Sequence, residues 1–366
     1  MKIKKVLQQL FKSFFYQLFF LIYPKLSYEK NLDLSKHNNS NNIDQIKIDG
    51  FKYKCFTIME GRIYSDLVQN VAVISQNNLI PGANFQQING EIVDDEKNSC
   101  LYKGTPRIKI KKKGTLFCAI QDASENNFSH WLLDILPRLK ILEKYNSINE
   151  IDYFLFPEIK HNYQYETLKI LDIPLEKILN NKKYRHLQSS KMIVTSHPWH
   201  TKGYVHKEII NIPKWIILWL REKFLTSATY ENINDKIFID RSDSSFDHCQ
   251  IINTNEVWNF LKNRGFKKYR LTEINFMNQI GIFSNAKIIV GAHGAGMTNM
   301  IFSKPKCNVI ELKPRHHINK FFKRVSEIND LDHKEIISED LELTQITKAG
   351  DIFVDINKLS DLIKLT

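Results

Sequence analysis

An α/β protein of about two domains, one of them an open parallel sheet, is the fold class that three observations in this sequence predict. The chain has 366 residues, enough for about two domains. From residue 233 onward, hydrophobic runs and amphipathic stretches alternate with short links, the pattern of a parallel sheet with helices on both faces. Within that half, Ile288 to Asn299 (IIVGAHGAGMTN) runs from a buried strand into a small-residue turn and then a helix.

The turn carries chemical information. Gly291, Gly294 and Gly296, with Ala292 and Ala295, strip it of side chains, so a ligand could approach the backbone. Free N–H groups at the helix start and the helix dipole favour an anion there, and His293 sits in the middle. The reading is a phosphate-bearing ligand; the plainer alternative is glycine used for positive φ. The order G-x-x-G-x-G is not the dinucleotide fingerprint G-x-G-x-x-G, which counts against an NAD enzyme, and neither a Walker A pattern nor a G-x-S-x-G elbow occurs.

Composition narrows the class. Hydrophobic content of 43% and charged content of 25% are ordinary for a globular protein, and a net charge of +12 favours anionic partners. No nucleic-acid-binding module accompanies that charge, so no nucleic-acid partner is expected. The five cysteines (55, 100, 118, 249, 307) form no CxxC pair; they read as core residues, with no disulfide scaffold and no structural zinc. Residues 1–30 hold six lysines against Glu29, with Phe14, Phe15, Phe19 and Phe20 between them. Gln8, Gln9, Lys12 and Gln17 interrupt the apolar run, so the expectation is an amphipathic helix on a membrane surface, through residues 1–25, rather than a span or a signal peptide.

The elements follow in order. Residues 31–45 are polar and Asn-rich and read as a linker; 46–230 form a first domain, 231–320 a second, and 321–366 an extension packing on the body. In the first domain, short alternating runs up to residue 120, such as 71–74 and 115–120, read as strands, some in hairpins. A polar loop (121–127) precedes a helix from Ser129 to Tyr145, bent or broken at Pro137. Strands at 153–156 and 192–194 and helices at 163–171 and 204–225 follow. In the second domain, strands are expected at 236–240, 267–271, 287–290 and 308–312. Helices are expected at 256–263, with Asn253 and Glu256 as a capping box and Gly265 at the end; at 273–284, capped by Thr272; and at 297–302. Ligands of such sheets sit beyond the C-terminal ends of the strands, where the glycine turn, Arg241 and Glu311 all fall.

Four more groups are candidates for chemistry. His130 and Asp134, spaced i, i+4, share one helix face; either could be a general base toward a hydroxyl, or the pair could simply order the first turn. Two metal ligands are conceivable there, but no third stands at a suggestive spacing. Glu311, at a strand end, suits ribose hydroxyls or an ion pair with a nearby lysine. Arg241 suits a diphosphate, or a salt bridge to Asp240 or Asp243. Gln279 precedes the glycine strand as a cleft or a solvated residue, and Asp330-Leu331-Asp332 follows no hydrophobic strand and reads as surface.

Asn127-Phe128-Ser129-His130-Trp131-Leu132-Leu133-Asp134-Ile135-Leu136-Pro137-Arg138-Leu139 resembles the N-terminal motif of glycosyltransferase family 61. Gln279, the 288–299 segment with its G-x-H-G-A-G-[LM]-x-N signature, and Val309 to Pro314 resemble its C-terminal block. The resemblance covers roughly residues 115–315. It implies a GT-B-like fold, two Rossmann-like domains facing a cleft, and inverting transfer from a nucleotide sugar without a required metal or other cofactor. Arg241, Gln279, His293, Gly294, Ala295, Gly296, Asn299 and Glu311 would bind the nucleotide sugar, with Glu311 at the ribose. Asn127, Trp131 and Arg138 would lie on the acceptor side, and His130 or Asp134 would be the base. One departure is clear: family members carry a second arginine before an Asn-Glu pair, and the stretch Asp247 to Thr254 has none, which leaves a lysine or His248 to supply that charge. Bacterial members are associated with capsular polysaccharide biosynthesis, so the expected setting is cytoplasmic and peripheral at the inner membrane face, with a glycan or lipid-linked glycan as acceptor. The competing readings are a non-catalytic nucleotide-binding or scaffold protein on the same fold, and another nucleotide-dependent enzyme.

Overall fold

The computed structural model describes residue 14 and residues 17–67, 70–120, 127–242, 248–317, 319–339 and 350–364. It divides the chain into two compact units: residues 1–160 with 174–208, and residues 161–173 with 209–366. The division falls near residue 208 rather than 230, and a short helix from the first half of the sequence belongs to the second unit.

The first unit is built on a mixed sheet. Strands β1 (Asn42–Ile48), β2 (Phe51–Met59), β3 (Arg62–Leu67) and β4 (Asn70–Ser75) form two antiparallel pairs, β1 with β2 and β3 with β4. Asp49 and Gly50, both at positive φ (48° and 81°), make the two-residue turn between β1 and β2, as the twist of a hairpin favours. Strands β5 (Ile110–Cys118), β6 (Tyr153–Phe156), β7 (Ile178–Asn180) and β8 (His186–Thr195) form the parallel part, in the order β8-β5-β6-β7. The long β8 joins the two parts, pairing antiparallel with β2 and β3 on its other edge. Leu116, Phe117, Phe154, Leu155, Phe156, Met192 and Ile193 are buried, which is why these strands read as continuous apolar runs. The expected linker 31–45 is part of this body: Leu34 is buried in its core and β1 begins at Asn42.

The helix expected at 129–145 is three pieces: α1 (Phe128–His130), a π-helical turn (Trp131–Ile135) and α2 (Leu136–Tyr145). Pro137 sits in the first turn of α2, where its missing N–H costs nothing. The Leu136 N–H reaches five residues back to the Trp131 carbonyl, so the break is a widened turn. At the N-terminus, residues 17–22 are helical with Leu18, Leu21 and Ile22 exposed; the rest of the expected amphipathic helix, apart from residue 14, lies outside the described residues. Among the described residues no helix is long and apolar enough to cross a membrane.

The second unit is a five-stranded parallel sheet of β9 (Lys236–Ile239), β10 (Lys267–Tyr269), β11 (Ile288–Ala292), β12 (Asn308–Lys313) and β13 (Asp332–Ile337), in the order β10-β9-β11-β12-β13. Its helices are α3 (Asn162–Ile170), α4 (Lys214–Phe224), α5 (Thr254–Lys262), α6 (Phe276–Asn285), α7 (Phe321–Asn329) and α8 (Ile356–Lys364). The strand order reverses between β9 and β11, the switch point at which open α/β sheets hold ligands.

Several boundaries differ from the sequence reading for identifiable reasons. The 204–225 helix is interrupted: Val205–Glu208 and a 3-10 turn (Ile209–Asn211) precede α4, for which Pro213 is the N-cap. Asn275, not Thr272, caps α6 by accepting from the Asn278 N–H. The Asn253–Glu256 capping box does not form, because the Asn253 carbonyl oxygen accepts from the Val354 N–H and its amide donates to Glu256. The 321–366 segment is no appendage: β13 completes the sheet, and Leu359 of α8 is buried against the same core as Val290 and Ile310. Asp330 is a left-handed helix cap with an exposed ion pair to Lys306, so the Asp-Leu-Asp triplet is surface, and all five cysteines are buried free thiols.

Candidate functional site

In the first unit, α1 begins just beyond the C-terminal end of β5, and the chain leaving the adjacent parallel β8 continues through Ser196 to His200. The two segments meet at Asp134. Its Oδ2 lies 2.7 Å from His130 Nδ1, and its Oδ1 accepts from Trp199 Nε1 at 2.7 Å. The Asp134 side chain is fully buried, whereas that of His130 is 21% exposed, so of the pair only the histidine reaches solvent. His130 is the residue just before the π turn and Asp134 lies within it, so the two share one face. His197 Nε2 stands 4.0 Å from Asp134 Oδ1, while its Nδ1 accepts the N–H groups of Trp199 and His200. Burial, then the charges of Arg138, His200 and His130, hold His197 well below the usual histidine range. His197 is thus a neutral wall of the site.

The three acceptor-side candidates lie in the same segment as the pair. Asn127 is the N-cap of α1, accepting from the Ser129 and His130 N–H groups. Trp131 is fully buried against Phe156, with ring centroids 5.8 Å apart. Arg138, also fully buried, donates from Nε to the Asp134 carbonyl (3.0 Å) and from Nη1 to the Thr195 carbonyl (2.9 Å) and hydroxyl (3.2 Å). It ties the helix to the end of β8. What this motif encodes is the support that fixes His130.

In the second unit, Arg241 follows β9 and the glycine turn follows β11, on either side of the switch point. A Cβ at Gly294 would overlap the Arg241 guanidinium. None of Gly291, Gly294 and Gly296 has φ in the left-handed region. Their lack of side chains instead makes room for neighbours: Met297 and Ile239 at Gly291, Arg241 at Gly294, Leu271 at Gly296. An anion at this turn therefore meets a guanidinium laid on the backbone. The following helix is 3-10, Ala295–Phe302, and its first turn leaves N–H groups without intrahelical acceptors. Asp240 does not pair with Arg241; it is engaged by Arg270 (3.2 Å), Lys268 (3.7 Å) and the Ser242 N–H. His248 lies close enough that burial, then the charges of Arg241 and His293, lower its pKa. Asp243 lies outside the described residues.

Gln279 and Asn299 are buried and bonded to each other at 2.9 Å. Gln279 also donates to the Leu271 and Ile274 carbonyls, and Asn299 to the Gly296 carbonyl. They brace the turn from beneath. Glu311 is likewise committed: Oε1 lies 2.5 Å from His293 Nδ1 and Oε2 2.9 Å from His333 Nε2. Buried and bonded through both oxygens, its side chain holds the rings of His293 and His333. His317 lies against His293, ring centroids 3.8 Å apart and planes tilted by 45°; burial, then the charges of His293 and Lys313, push it down to about 4. Glu311, His333 and Glu335 bring three ligand atoms within 4.8 Å of one another, but the Lys313 ammonium, 2.8 Å from Glu335, already supplies a cation beside the cluster.

Burial alone would raise the Glu311 carboxyl, but hydrogen bonds from His293 and His333, with the charges of His293 and Lys313, outweigh it and hold the pKa at about 2 against an ordinary 4.5. Because the folded value is depressed, the stabilisation is present above pH 4.5 and is lost as pH falls toward 2. A shift of this size corresponds to roughly 3 kcal/mol. Unfolding free energy measured from pH 5 to 2 should fall more steeply in the wild type than in Glu311→Gln; equal slopes would refute the assignment.

The sequence reading missed Thr195, His197 and Trp199, although the run His197-Pro198-Trp199-His200 after a strand was a visible signal. It also missed His333 and the group Arg315, His317, Lys320 and Lys323, signalled by Lys313-Pro314-Arg315-His316-His317.

The sequence profile of Glycosyltransferase 61 matches residues 128–310, half of the chain, and spans both candidate sites. A beta-1,2-xylosyltransferase of Oryza sativa subsp. japonica is 25% identical over 134 residues, which are 32% of this chain and only 25% of that relative's length. Among solved structures, a flavo di-iron protein of Thermotoga maritima aligns over 89% of this chain and 98% of its own, at 9% identity and a TM-score of 0.25, a likeness too slight to inform the fold. With its 128–139 helix carrying the His130–Asp134 pair and its parallel sheet carrying the glycine turn inside the matched region, the chain belongs to glycosyltransferase family 61.

Proposed function

We propose that this glycosyltransferase moves a sugar from a nucleotide-sugar donor to a glycan hydroxyl with inversion, its two units working as the halves of a GT-B-like enzyme. The observation that carries the donor side is the Arg241 guanidinium against Gly294 at the switch point, beside the half-buried 294–296 turn that starts a helix. His248, whose pKa is lowered, answers the family's missing second arginine as a neutral N–H donor rather than as a cation. On the acceptor side, His130 accepts the hydroxyl proton through Nε2, with Asp134 fixing the ring through Nδ1. The acceptor oxygen forms the new bond to the anomeric carbon as the bond to the diphosphate breaks. The electron pair leaves with the nucleoside diphosphate, whose charge Arg241, His248 and the turn N–H groups stabilise. No step calls for a metal.

Incubation of the full chain with a panel of nucleotide sugars, including a xylose donor, should release one nucleoside diphosphate preferentially, and that diphosphate should raise the melting temperature. Stabilisation by NAD alone would favour another nucleotide-dependent enzyme, and binding without turnover a non-catalytic protein. The acceptor is proposed to be a surface-polysaccharide glycan, lipid-linked, met at the inner membrane face through residues 1–25, where exposed Leu18, Leu21 and Ile22 offer an apolar contact. Unchanged co-flotation with anionic vesicles after deletion of residues 1–30 would sink that part.

A further inference from the structure

Beyond the switch point, the second unit holds a cavity of about 330 Å³ over the C-terminal ends of β12 and β13, lined by Lys313, Pro314, Arg315, His317, Lys320, Lys323, Glu335 and Ile337. We propose that this cavity is a second oxyanion subsite, separate from the donor diphosphate, which takes a phosphate ester or carboxylate carried by a glycan substrate.

Charge is the first argument. Four of the eight lining side chains are lysine or arginine and one is acidic. That carboxylate, Glu335, is paired with Lys313 at 2.8 Å on the cavity floor. Among the described residues Lys320 and Lys323 form no ion pair, and both are exposed at the cavity.

The second argument is a local cost. Lys320 is the N-cap residue of α7 and Lys323 lies in its first turn, with no acidic residue there. Cations at a helix N-terminus oppose the dipole, whereas an anion placed between them and the helix is favoured by both. Lys320 makes no side-chain cap bond, and the Phe321 N–H is met by Asn319 instead. Two lysines that disfavour their own helix are accounted for by a ligand.

Position and size give the third argument. The cavity sits toward the sheet edge, whereas Arg241 and Gly294 flank the β9–β11 switch point. His317 lines the cavity and its ring touches that of His293 in the glycine turn, so the two sites adjoin without sharing their cations. The volume is at the small end of ligand pockets, that of one sugar-sized group rather than a whole nucleotide sugar. The anion subsite stands on these observations alone; its glycan origin rests on the transferase assignment.

Thermal unfolding of the full chain, at constant ionic strength set with chloride, tests it with inorganic phosphate and with glucuronate. Phosphate should raise the melting temperature saturably in the wild type and in Arg241→Gln, and the response should vanish in the double variant Lys320→Gln/Lys323→Gln. Without phosphate that double variant should melt on the order of 1 °C higher, because the dipole clash is gone. A glucuronate response that also needs the two lysines identifies a carboxylated glycan; a response to phosphate alone identifies a phosphate ester. Loss of the phosphate response in Arg241→Gln with retention in the double variant would overturn the proposal, as would no response beyond that to chloride. These readouts need no transferase activity, so they fail or succeed independently of the donor assignment.

Discussion

Replacing His130 by alanine should lower kcat for sugar transfer by about 10²–10⁴-fold, the usual contribution of a positioned general base. KM for the donor should change little, because a base acts on the acceptor proton in the transition state and not on the bound nucleotide. Asp134→Asn keeps the volume but removes the negative partner of Nδ1 and weakens the acceptor for Trp199 Nε1, so it should give a smaller loss in the same parameter. The double variant should be no worse than His130→Ala, since the carboxylate acts only through the ring. Asp134 is fully buried, so the melting temperatures of all three must be measured alongside. Wild-type kcat in His130→Ala would remove the histidine from the mechanism.

The second large effect is expected from the smallest substitution. Gly294→Ala puts a methyl group where the Arg241 guanidinium lies. The arginine end is flexible, so the fold should survive with little change in melting temperature, but the guanidinium must leave the turn. A hydrogen bond to a charged group contributes about 1.5–3 kcal/mol, so nucleoside-diphosphate affinity should fall roughly 10–150-fold. Arg241→Ala should match it, and the pair should not be additive because both remove one contact. Calorimetric titration checks all three; unchanged affinity in Gly294→Ala would place the diphosphate elsewhere.

How far the sequence could be read depended on whether a signal was local. The parallel strands 236–239, 288–292 and 308–313 were legible because strands buried on both faces leave apolar runs bounded by turn residues. The stretch around Pro137 was recognisable as a helix with a break, since the missing N–H is a property of one residue. The glycines of the 291–296 turn were conspicuous, but their reason was not. Backbone permissiveness and close packing leave the same letter, and only the positions of Met297, Arg241 and Leu271 tell them apart. Trp131, Arg138, Gln279 and Asn299 were read as ligand contacts because they share motifs with the other candidates. Their burial, a non-local property, was not legible in the motifs.

The sequence by itself determined the α/β class, the parallel unit, the His130–Asp134 spacing and the family, because all of these reside in short-range order along the chain. The tertiary structure alone decided three things: that His130 rather than Asp134 faces solvent, that Glu311 is bound on both oxygens by His293 and His333, and that lysines of one helix close a cationic cavity over β12 and β13. Each depends on residues that the fold brings together from distant positions, where the exposure of one group is set by what another buries.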